Sequence, residues 1–318
     1  MNTETSRVPE DLLGRAPTST RGLDCQDRSG PIGRVHGVPD GHHAMRFEPH
    51  KGRAASLSIV LSIELFCMAA AGIARAEQTT SVEDLATLRA NPLSGLRNVS
   101  LTYQANVDFA DGTQSLWELE AVWPFALGKD WSLITNPTVP VMAQPGSEPG
   151  EGRVAGLGDT TVTAVVTPTK TGSLIWGVGG ELQLPTATAR ELGSSRWAAG
   201  PALGLFVEPA PWTIGVLLEN VWSFAGGGGE QVNDFNAEYF LTWNLPRGWF
   251  LQSNATVTAD WEADDANRWT VPVGGGFGKV FAVGKQSLSP AVQAFYNPVR
   301  PSSGPDWSAS ISLQLLFP

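Results

Sequence analysis

The sequence predicts an all-β protein, a transmembrane antiparallel up-and-down β-barrel of about 12 strands with a short N-terminal helix. Three observations predict this class. Long segments alternate between apolar and polar residues, an even number of such segments is joined by alternately short and long connections, and one apolar export segment precedes them all. Lipid-facing and lumen-facing residues alternate along the strands of a transmembrane barrel, and bacterial single-chain barrels have an even number of strands.

Apolar and polar residues alternate with a period of two from residue 97 onward. The segment Val99 to Phe109 is apolar at every odd position and polar at every even one, and Trp307 to Phe317 repeats the period. Segments of about 10 residues with one apolar face suit a barrel wall in lipid, whereas strands of soluble proteins are shorter, typically about 5–6 residues. The predicted strands are 97–109, 114–127, 130–143, 159–168, 174–184, 198–208, 212–224, 233–245, 248–261, 268–278, 286–297 and 306–317.

The connections between these segments alternate in length. Those after even-numbered strands are mostly tight, with 279–285 the longest of them, and those after odd-numbered strands are mostly long and polar, with 110–113 the short exception. Short periplasmic turns and longer outer loops are typical of outer-membrane barrels. A wrong strand count would disturb this regularity, so the connections support the number of strands independently.

The N-terminal part of the chain is predicted to be removed on export. Residues 45–76 have the form of a signal peptide, with a basic start, an apolar stretch over 57–73 and the cleavage sequence Ala74-Arg75-Ala76. A membrane anchor is the alternative interpretation of the same segment. Residues 1–44 lack hydrophobic periodicity and are predicted to be a non-native or disordered leader, with translation beginning at Met45.

The remaining chain divides into a periplasmic segment, 77–96, and the barrel, 97–318. Ser81 and Asp84 approximate a capping box for a short helix over 82–90. The sequence leaves open whether this helix lies in the periplasm or plugs the lumen.

Composition excludes several classes of function. Residues 77–318 hold 12 Lys and Arg against 23 Asp and Glu, a net charge of −11, which argues against a nucleic-acid partner. All four histidines and both cysteines lie within residues 1–76. The exported chain therefore has no imidazole base and no histidine or cysteine for a zinc site, so we expect no enzyme, metal or cofactor, although carboxylate-only catalysis stays formally open.

Strand parity places eight carboxylates on the lumen side of the predicted wall. Without matching cations in the strands, they would repel anions and favour neutral or cationic solutes. A polar wall that merely keeps the lumen wet is the alternative. The predicted lumen-facing residues of the transport pathway are Asp108, Glu118, Glu120, Glu181, Glu219, Asp234, Glu238 and Asp260.

Tryptophans cluster near the predicted strand ends, where amphipathic rings favour the depth of lipid headgroups. Ordinary core tryptophans are the alternative. The chain also ends in alternating apolar residues with a terminal aromatic, Phe317, as barrel-assembly machinery prefers, followed by Pro318. The predicted interface girdle comprises Trp131, Trp212 and Trp249 on the periplasmic side and Trp222, Trp261, Trp269 and Trp307 on the outer side.

Two glycine-containing motifs invite a functional interpretation. Gly156-Leu157-Gly158-Asp159 would either order the long loop before it or supply ordinary turn chemistry at a strand start. Gly274-Gly275-Gly276 resembles a phosphate loop only superficially, because neither the required hydroxyl residue nor a helix follows. Glycines here are predicted to mark a bulge or close strand packing.

Several short motifs together resemble a known family, the outer-membrane proteins grouped with the meta-pathway of phenol degradation. The likeness covers most of residues 82–318. It is carried by Asn91-Pro92, Gly156-Leu157-Gly158-Asp159, Leu184-Pro185-Thr186-Ala187-Thr188, Gly200-Pro201, Val271-Pro272-Val273-Gly274-Gly275-Gly276, Tyr296-Asn297-Pro298-Val299-Arg300-Pro301 and the Leu-Phe-Pro ending.

The resemblance implies a barrel in the outer membrane of a Gram-negative bacterium, in a family whose members often carry transporter labels. We therefore expect a channel for the passive passage of small molecules, aromatic or hydrophobic ones among them. The expected partners are outer-membrane lipid, the barrel-assembly machinery and a small-molecule solute. The alternative is a structural or surface-interaction barrel without transport activity.

Overall fold

A closed barrel of twelve long antiparallel strands forms the body of the protein. The structure, a computed structural model, describes residues 80–110, 112–146, 152–227 and 231–318. The strands are β1 Arg97–Phe109, β2 Gly112–Leu127, β3 Trp131–Gln144, β4 Val154–Leu157, β5 Thr160–Pro168, β6 Ile175–Leu184, β7 Arg196–Val207, β8 Trp212–Gly226, β9 Asn233–Asn244, β10 Trp249–Asp260, β11 Trp269–Lys279, β12 Phe281–Val283, β13 Gln286–Val299 and β14 Trp307–Phe317.

Each long strand pairs with its neighbour in sequence, and the first strand closes the sheet against the last. Between β1 and β14, Arg97 lies opposite Phe317 and Val107 opposite Trp307. The short strands β4 and β12 pair with the ends of β3 and β13 and lie off the circuit, because β3 pairs directly with β5 and β11 with β13. The predicted fold class and the count of twelve wall strands are confirmed.

The predicted strand limits agree with the observed ones to within a few residues. The two short strands were not predicted, because three or four residues are too few to show a period. Within the predicted loops, residues 111, 147–151 and 228–230 lie outside the described residues, as do the predicted leader and signal peptide.

The two ends of the barrel differ. The turns β2–β3, β5–β6, β7–β8, β9–β10 and β11–β13 are at one end, called here the turn end, together with the start of β1 and the end of β14. The longer connections lie at the other, the loop end. The chain enters the turn end through helix α1, Val82–Leu88, and a 3₁₀ turn, Pro92–Ser94. Further 3₁₀ turns are Arg190–Leu192 and Pro246–Gly248.

Aromatic side chains are concentrated towards both ends of the outer wall. Trp212 and Trp243 stack with ring centroids 5.5 Å apart at the turn end, and Trp261 and Trp269 meet edge-on at 5.6 Å at the loop end. Of the seven predicted girdle residues, Trp269 is half-buried and the other six are exposed. The tryptophans nearer the turn end are Trp123, Trp131, Trp176, Trp212, Trp243 and Trp249, and those nearer the loop end are Trp117, Trp197, Trp222, Trp261, Trp269 and Trp307.

One stretch of the wall lacks its backbone ladder. Strands β10 and β11 pair at both ends in a single register, but residues 253–257 pair only with β9. Side-chain hydrogen bonds replace the missing backbone hydrogen bonds there. The hydroxyl of Ser253 donates to the carbonyl of Gly274 (2.8 Å), and the hydroxyl of Tyr239 donates to that of Pro272 (3.3 Å). We call this stretch the β10–β11 seam.

Glycine is needed where strands approach each other closely. A β-carbon at Gly276 would lie 1.8 Å from the carbonyl oxygen of Val292, and one at Gly200 would lie 1.6 Å from that of Asn220. No side chain fits at such distances without movement of the backbone. The predicted close strand packing at the triple-glycine motif is therefore confirmed.

Candidate channel lumen

The N-terminal segment lies inside the turn end of the barrel. We call residues 82–96 the plug. Leu85, Ala86 and Leu96 are buried together with residues of the opposing wall, in an apolar cluster that also contains Phe250. The remaining members of this cluster are Val280, Ala291 and Leu316. Of the two positions that the sequence left open for the helix, the structure therefore shows the one within the lumen.

Polar contacts tie the plug to the wall at separate points. The guanidinium of Arg89 donates to Gln252 Oε1 (2.6 Å) and lies 3.6 Å above the ring of Phe250. Asn91 Nδ2 donates to Glu208 Oε1 (2.8 Å). Burial lowers the pKa of the Arg89 guanidinium to about 9, so this group is still charged at neutral pH.

Local chemistry explains why the plug has this shape. The hydroxyl of Ser81 accepts from the amide of Asp84 (3.0 Å), the cap that the sequence predicted. Asn91 Oδ1 accepts from the amide of Leu93 (2.9 Å) and starts the 3₁₀ turn, and Gly95, with φ of +77°, reverses the chain into β1. The helix and the turn thus cross the lumen as one short, capped unit.

A cavity of about 470 Å³ lies between the plug and the loop end, and we call it the upper chamber. Its floor is formed by Arg89, Ala90 and Pro92, and its described wall residues come from nine of the twelve long strands. Among the described residues, no lining residue belongs to β5, β6 or β7. Most of its hydroxyl and amide groups come from Ser100, Thr102, Gln104, Asn106, Asn136, Gln252, Asn254, Thr256, Thr258, Gln293, Ser308, Ser310, Ser312 and Gln314.

Side chains fill the lumen next to β5, β6 and β7 at the depth of the plug. Phe206 and Phe240 pack with ring centroids 5.1 Å apart, and Leu93 from the plug joins them. A β-carbon at Gly215 would fall 2.0 Å from the Phe206 ring, so glycine there makes room for it. The upper chamber is therefore eccentric. The other members of this apolar cluster are Val122, Ile134, Val165, Ala202 and Leu217.

The eight predicted lumen carboxylates do not share one site. Three of them, Glu118, Glu120 and Glu238, line the upper chamber. Strands β2 and β9 stand six places apart in the twelve-strand circuit, so Glu238 faces the other two from the opposite wall. Asn136 Nδ2 donates to Glu120 Oε1 (2.8 Å) and orients it.

The other five carboxylates lie elsewhere. Glu181 and Glu219 lie outside the lining of the upper chamber, and Thr163 Oγ1 donates to Glu219 Oε1 (2.9 Å). Asp234 and Asp260 are register partners near the loop end. The remaining one, Asp108, occupies an irregularity of β1 with φ of +62° and is exposed. Parity alone could not separate these positions, because it says which face a residue is on and nothing about what fills that side.

The sequence interpretation missed the one cation among the described chamber-lining residues. It considered charges on the strands, whereas Arg89 reaches the upper chamber from the plug. Its position four residues after Leu85, on the same helical face, was the available signal.

The family model described as "Putative MetA-pathway of phenol degradation" matches residues 100–317. The chain belongs to this family. No curated protein sequence matches it.

One solved structure shows the same fold at low sequence identity, and the scores of two further outer-membrane barrels are lower. An outer-membrane channel from Pseudomonas putida F1 has a TM-score of 0.55 and 17% identity, covering 70% of this chain and 96% of that one. The NanC porin has a TM-score of 0.43 and 10% identity, covering 70% and 99%. Outer-membrane phospholipase A from Escherichia coli has a TM-score of 0.37 and 12% identity, covering 72% and 97%.

This member of the phenol-degradation family is thus an outer-membrane barrel of a Gram-negative bacterium, with the fold of outer-membrane channels. Short turns face the periplasm in such barrels. We therefore expect the turn end and the plug to be on the periplasmic side and the longer loops to face outward.

The family motif at Asp159 organises an outer loop. The Asp159 carboxylate accepts from the amide of Ala187 (3.1 Å) and from the amide and hydroxyl of Ser194 (2.7 and 2.9 Å). The sequence suggested an ordering of the preceding loop. The observed partners instead belong to the next outer connection, 185–195, whose Glu191 carbonyl accepts from Gln144 (2.6 Å).

Replacing Asp159 by Ala is expected to loosen this loop. Removing a charged acceptor leaves its donors unpaired, which costs about 1–3 kcal/mol locally. Trypsin should therefore cleave after Arg190 severalfold faster in Asp159→Ala than in the unsubstituted protein. Asp265→Ala, which removes an exposed carboxylate from a different outer loop, should leave that cleavage unchanged, and equal rates in all three proteins would contradict the role of Asp159.

Proposed function

We propose that the protein is a channel for the passive passage of small neutral and cationic molecules across the outer membrane. The observation that carries this proposal is the upper chamber, a polar cavity inside the barrel that has three carboxylates and one guanidinium among its described lining residues. Rings of charged side chains set ion selectivity in pores. An excess of carboxylates favours cations and disfavours anions.

The chamber also suits a single aromatic ring that carries a hydroxyl group. An apolar cavity of roughly 150 Å³ accommodates benzene, and the upper chamber is larger. Phe240 and Phe295 offer apolar contact beside Glu238 and the serines of β14. With the family description, which names phenol degradation, these groups support small phenolic molecules as one class of solute.

A catalytic role is not part of this proposal. Residues 77–318 of this chain contain no histidine. A hydrolase of the serine–histidine type needs that imidazole as its general base.

Passage can be tested with purified protein in planar bilayers and in liposomes. We expect small, cation-preferring single-channel currents, and faster liposome swelling with small neutral solutes than with anions of the same size. Protein-free liposomes provide the control. Absence of both current and solute flux would contradict a channel.

The acidic side of the chamber should determine charge preference. In the triple variant Glu118→Gln, Glu120→Gln, Glu238→Gln, the reversal potential in a salt gradient is expected to shift towards zero, because the wall no longer attracts cations. The double variant Glu181→Gln, Glu219→Gln is the matched control, since its carboxylates lie outside the chamber. An unchanged reversal potential in the triple variant would remove the proposed role of these groups.

A surface-interaction barrel is the second candidate, and the plug is the observation that favours it. An apolar layer across the lumen would block solutes if it never moved. The bilayer experiment separates the two candidates, because a permanently closed barrel carries no current.

A further inference from the structure

A second cavity lies on the periplasmic side of the plug, and we call it the lower chamber. Its volume is about 250 Å³. Apolar groups line one part of it, and Thr167 and Glu208 line another, while Thr169 and Thr171 at its rim are exposed. Its apolar lining residues include Leu88, Leu93, Ile134 and Ile175.

Leu93 stands between the two chambers. It lines the lower chamber directly. Its side chain belongs to the same apolar cluster as Val122, Leu217 and Phe240, which line the upper chamber. Ile134 belongs to that cluster and lines the lower chamber as well. The plug residues that form the floor of the upper chamber lie between the two cavities, together with one apolar layer that the plug enters through a single leucine.

The wall is shaped to receive this leucine. A β-carbon at Gly204 would lie 2.9 Å from Leu93 Cδ1, and one at Gly177 would lie 3.4 Å from it. Two neighbouring strands therefore carry glycine where the leucine tip rests, and the recess they form is apolar.

The polar anchors of the plug all precede Leu93 in the chain and do not involve its side chain. Arg89 donates a hydrogen bond to Gln252, and Asn91 donates one to Glu208. Glu83 Oε1 accepts from the amide of Arg247 (3.1 Å). Rotation of one leucine breaks none of these bonds, whereas expulsion of the plug breaks all of them. Apolar constrictions also close pores to water and ions without a polar contact.

We propose that solutes cross the lumen past Leu93 while the plug stays in place, so that Leu93 is the gate between the upper and lower chambers. This inference rests on the proposed channel function and adds the route. The path runs from the carboxylate wall through the apolar layer, passes Glu208 and Thr167, and leaves at the periplasmic rim beside Thr169 and Thr171.

Conductance of two leucine variants provides the first measurement. Leu93→Gly is expected to raise the single-channel conductance severalfold, because it removes the side chain that separates the chambers. Leu85→Ala is the matched control, an equally buried plug leucine that packs in the other apolar cluster. An equal increase in Leu85→Ala would mean that the whole plug is leaving, and would overturn the proposal.

Block of the current by a thiol reagent provides the second measurement. It compares the same channel before and after the reagent, and so needs no substitution at Leu93. Both cysteines of the chain lie within residues 1–76, so one cysteine can be introduced into exported protein. In Ser132→Cys, within the lower chamber, a trimethylammonium methanethiosulfonate should reduce the current of the same channels. In Ser173→Cys, on an exposed turn at the same end, it should not.

These measurements separate the gate from the channel function. Current that is insensitive to the reagent in Ser132→Cys would overturn the route while leaving the channel intact. Absence of current in the unsubstituted protein, in Leu93→Gly and in Leu85→Ala would overturn both.

Discussion

Deletion of residues 80–94 is expected to raise the single-channel conductance severalfold. The deletion removes the floor of the upper chamber, joins it to the lower chamber, and takes Leu93 and Leu85 out of the two apolar clusters. It also removes Arg89, and with it the positive charge of the chamber. Cation preference should therefore rise together with conductance.

Planar-bilayer recordings in symmetric salt and in a salt gradient would measure both effects. Asp84→Asn is a suitable control, because Asp84 is exposed on the plug helix and its substitution leaves the apolar contacts intact. A deletion variant that folds and conducts like the unsubstituted protein would show that residues 80–94 do not limit passage.

Gly276→Val is expected to prevent formation of the folded barrel. A β-carbon at this position would lie 1.8 Å from the carbonyl of Val292 and 2.7 Å from the Cα of Gln293, both on the next strand. Overpacking of a well-filled site typically costs about 1–3 kcal/mol, occasionally more. Here the clash is with backbone, so β11 and β13 must separate, and unpaired backbone groups are especially costly within lipid.

Heat-modifiable migration on gels would measure this effect, since folded outer-membrane barrels migrate differently before and after boiling. Gly172→Val is the matched control, because no atom lies within 4 Å of a β-carbon there. A heat-modifiable band of normal intensity in Gly276→Val would contradict the close approach of these strands.

The wall of the barrel could be predicted from the sequence because its physical requirement is local. Each strand must offer one apolar face to lipid, so the alternation within a segment such as Val99–Phe109 is enough to identify it as a strand of the wall. The same alternation predicted that the tryptophans are on the outer face of the wall and that Glu118 and Glu120 are on its lumen face. It could not detect β4 or β12, which are too short to show an alternating pattern.

The lumen could not be predicted in the same way, because its contents depend on contacts between distant strands. Whether Glu181 meets water or packed side chains depends on residues of other strands, such as its register partner Thr163 and Glu219, which accepts a hydrogen bond from Thr163. The capping residue Ser81 predicted a helix, but not where that helix would lie. The position of Arg89 in the chamber follows only from the plug's fit against Phe250.

The β10–β11 seam limits which amino-acid substitutions the outer surface of this barrel tolerates. Tyr239 and Ser253 point outward by strand parity, and such positions are ordinarily free to vary among residues that lipid accepts. Here their hydroxyls take the place of missing strand bonds at Pro272 and Gly274, in a region where a carbonyl finds no water. Phenylalanine and alanine would suit the lipid at these two positions equally well and would each leave a carbonyl unpaired, so this part of the surface is constrained as tightly as a core.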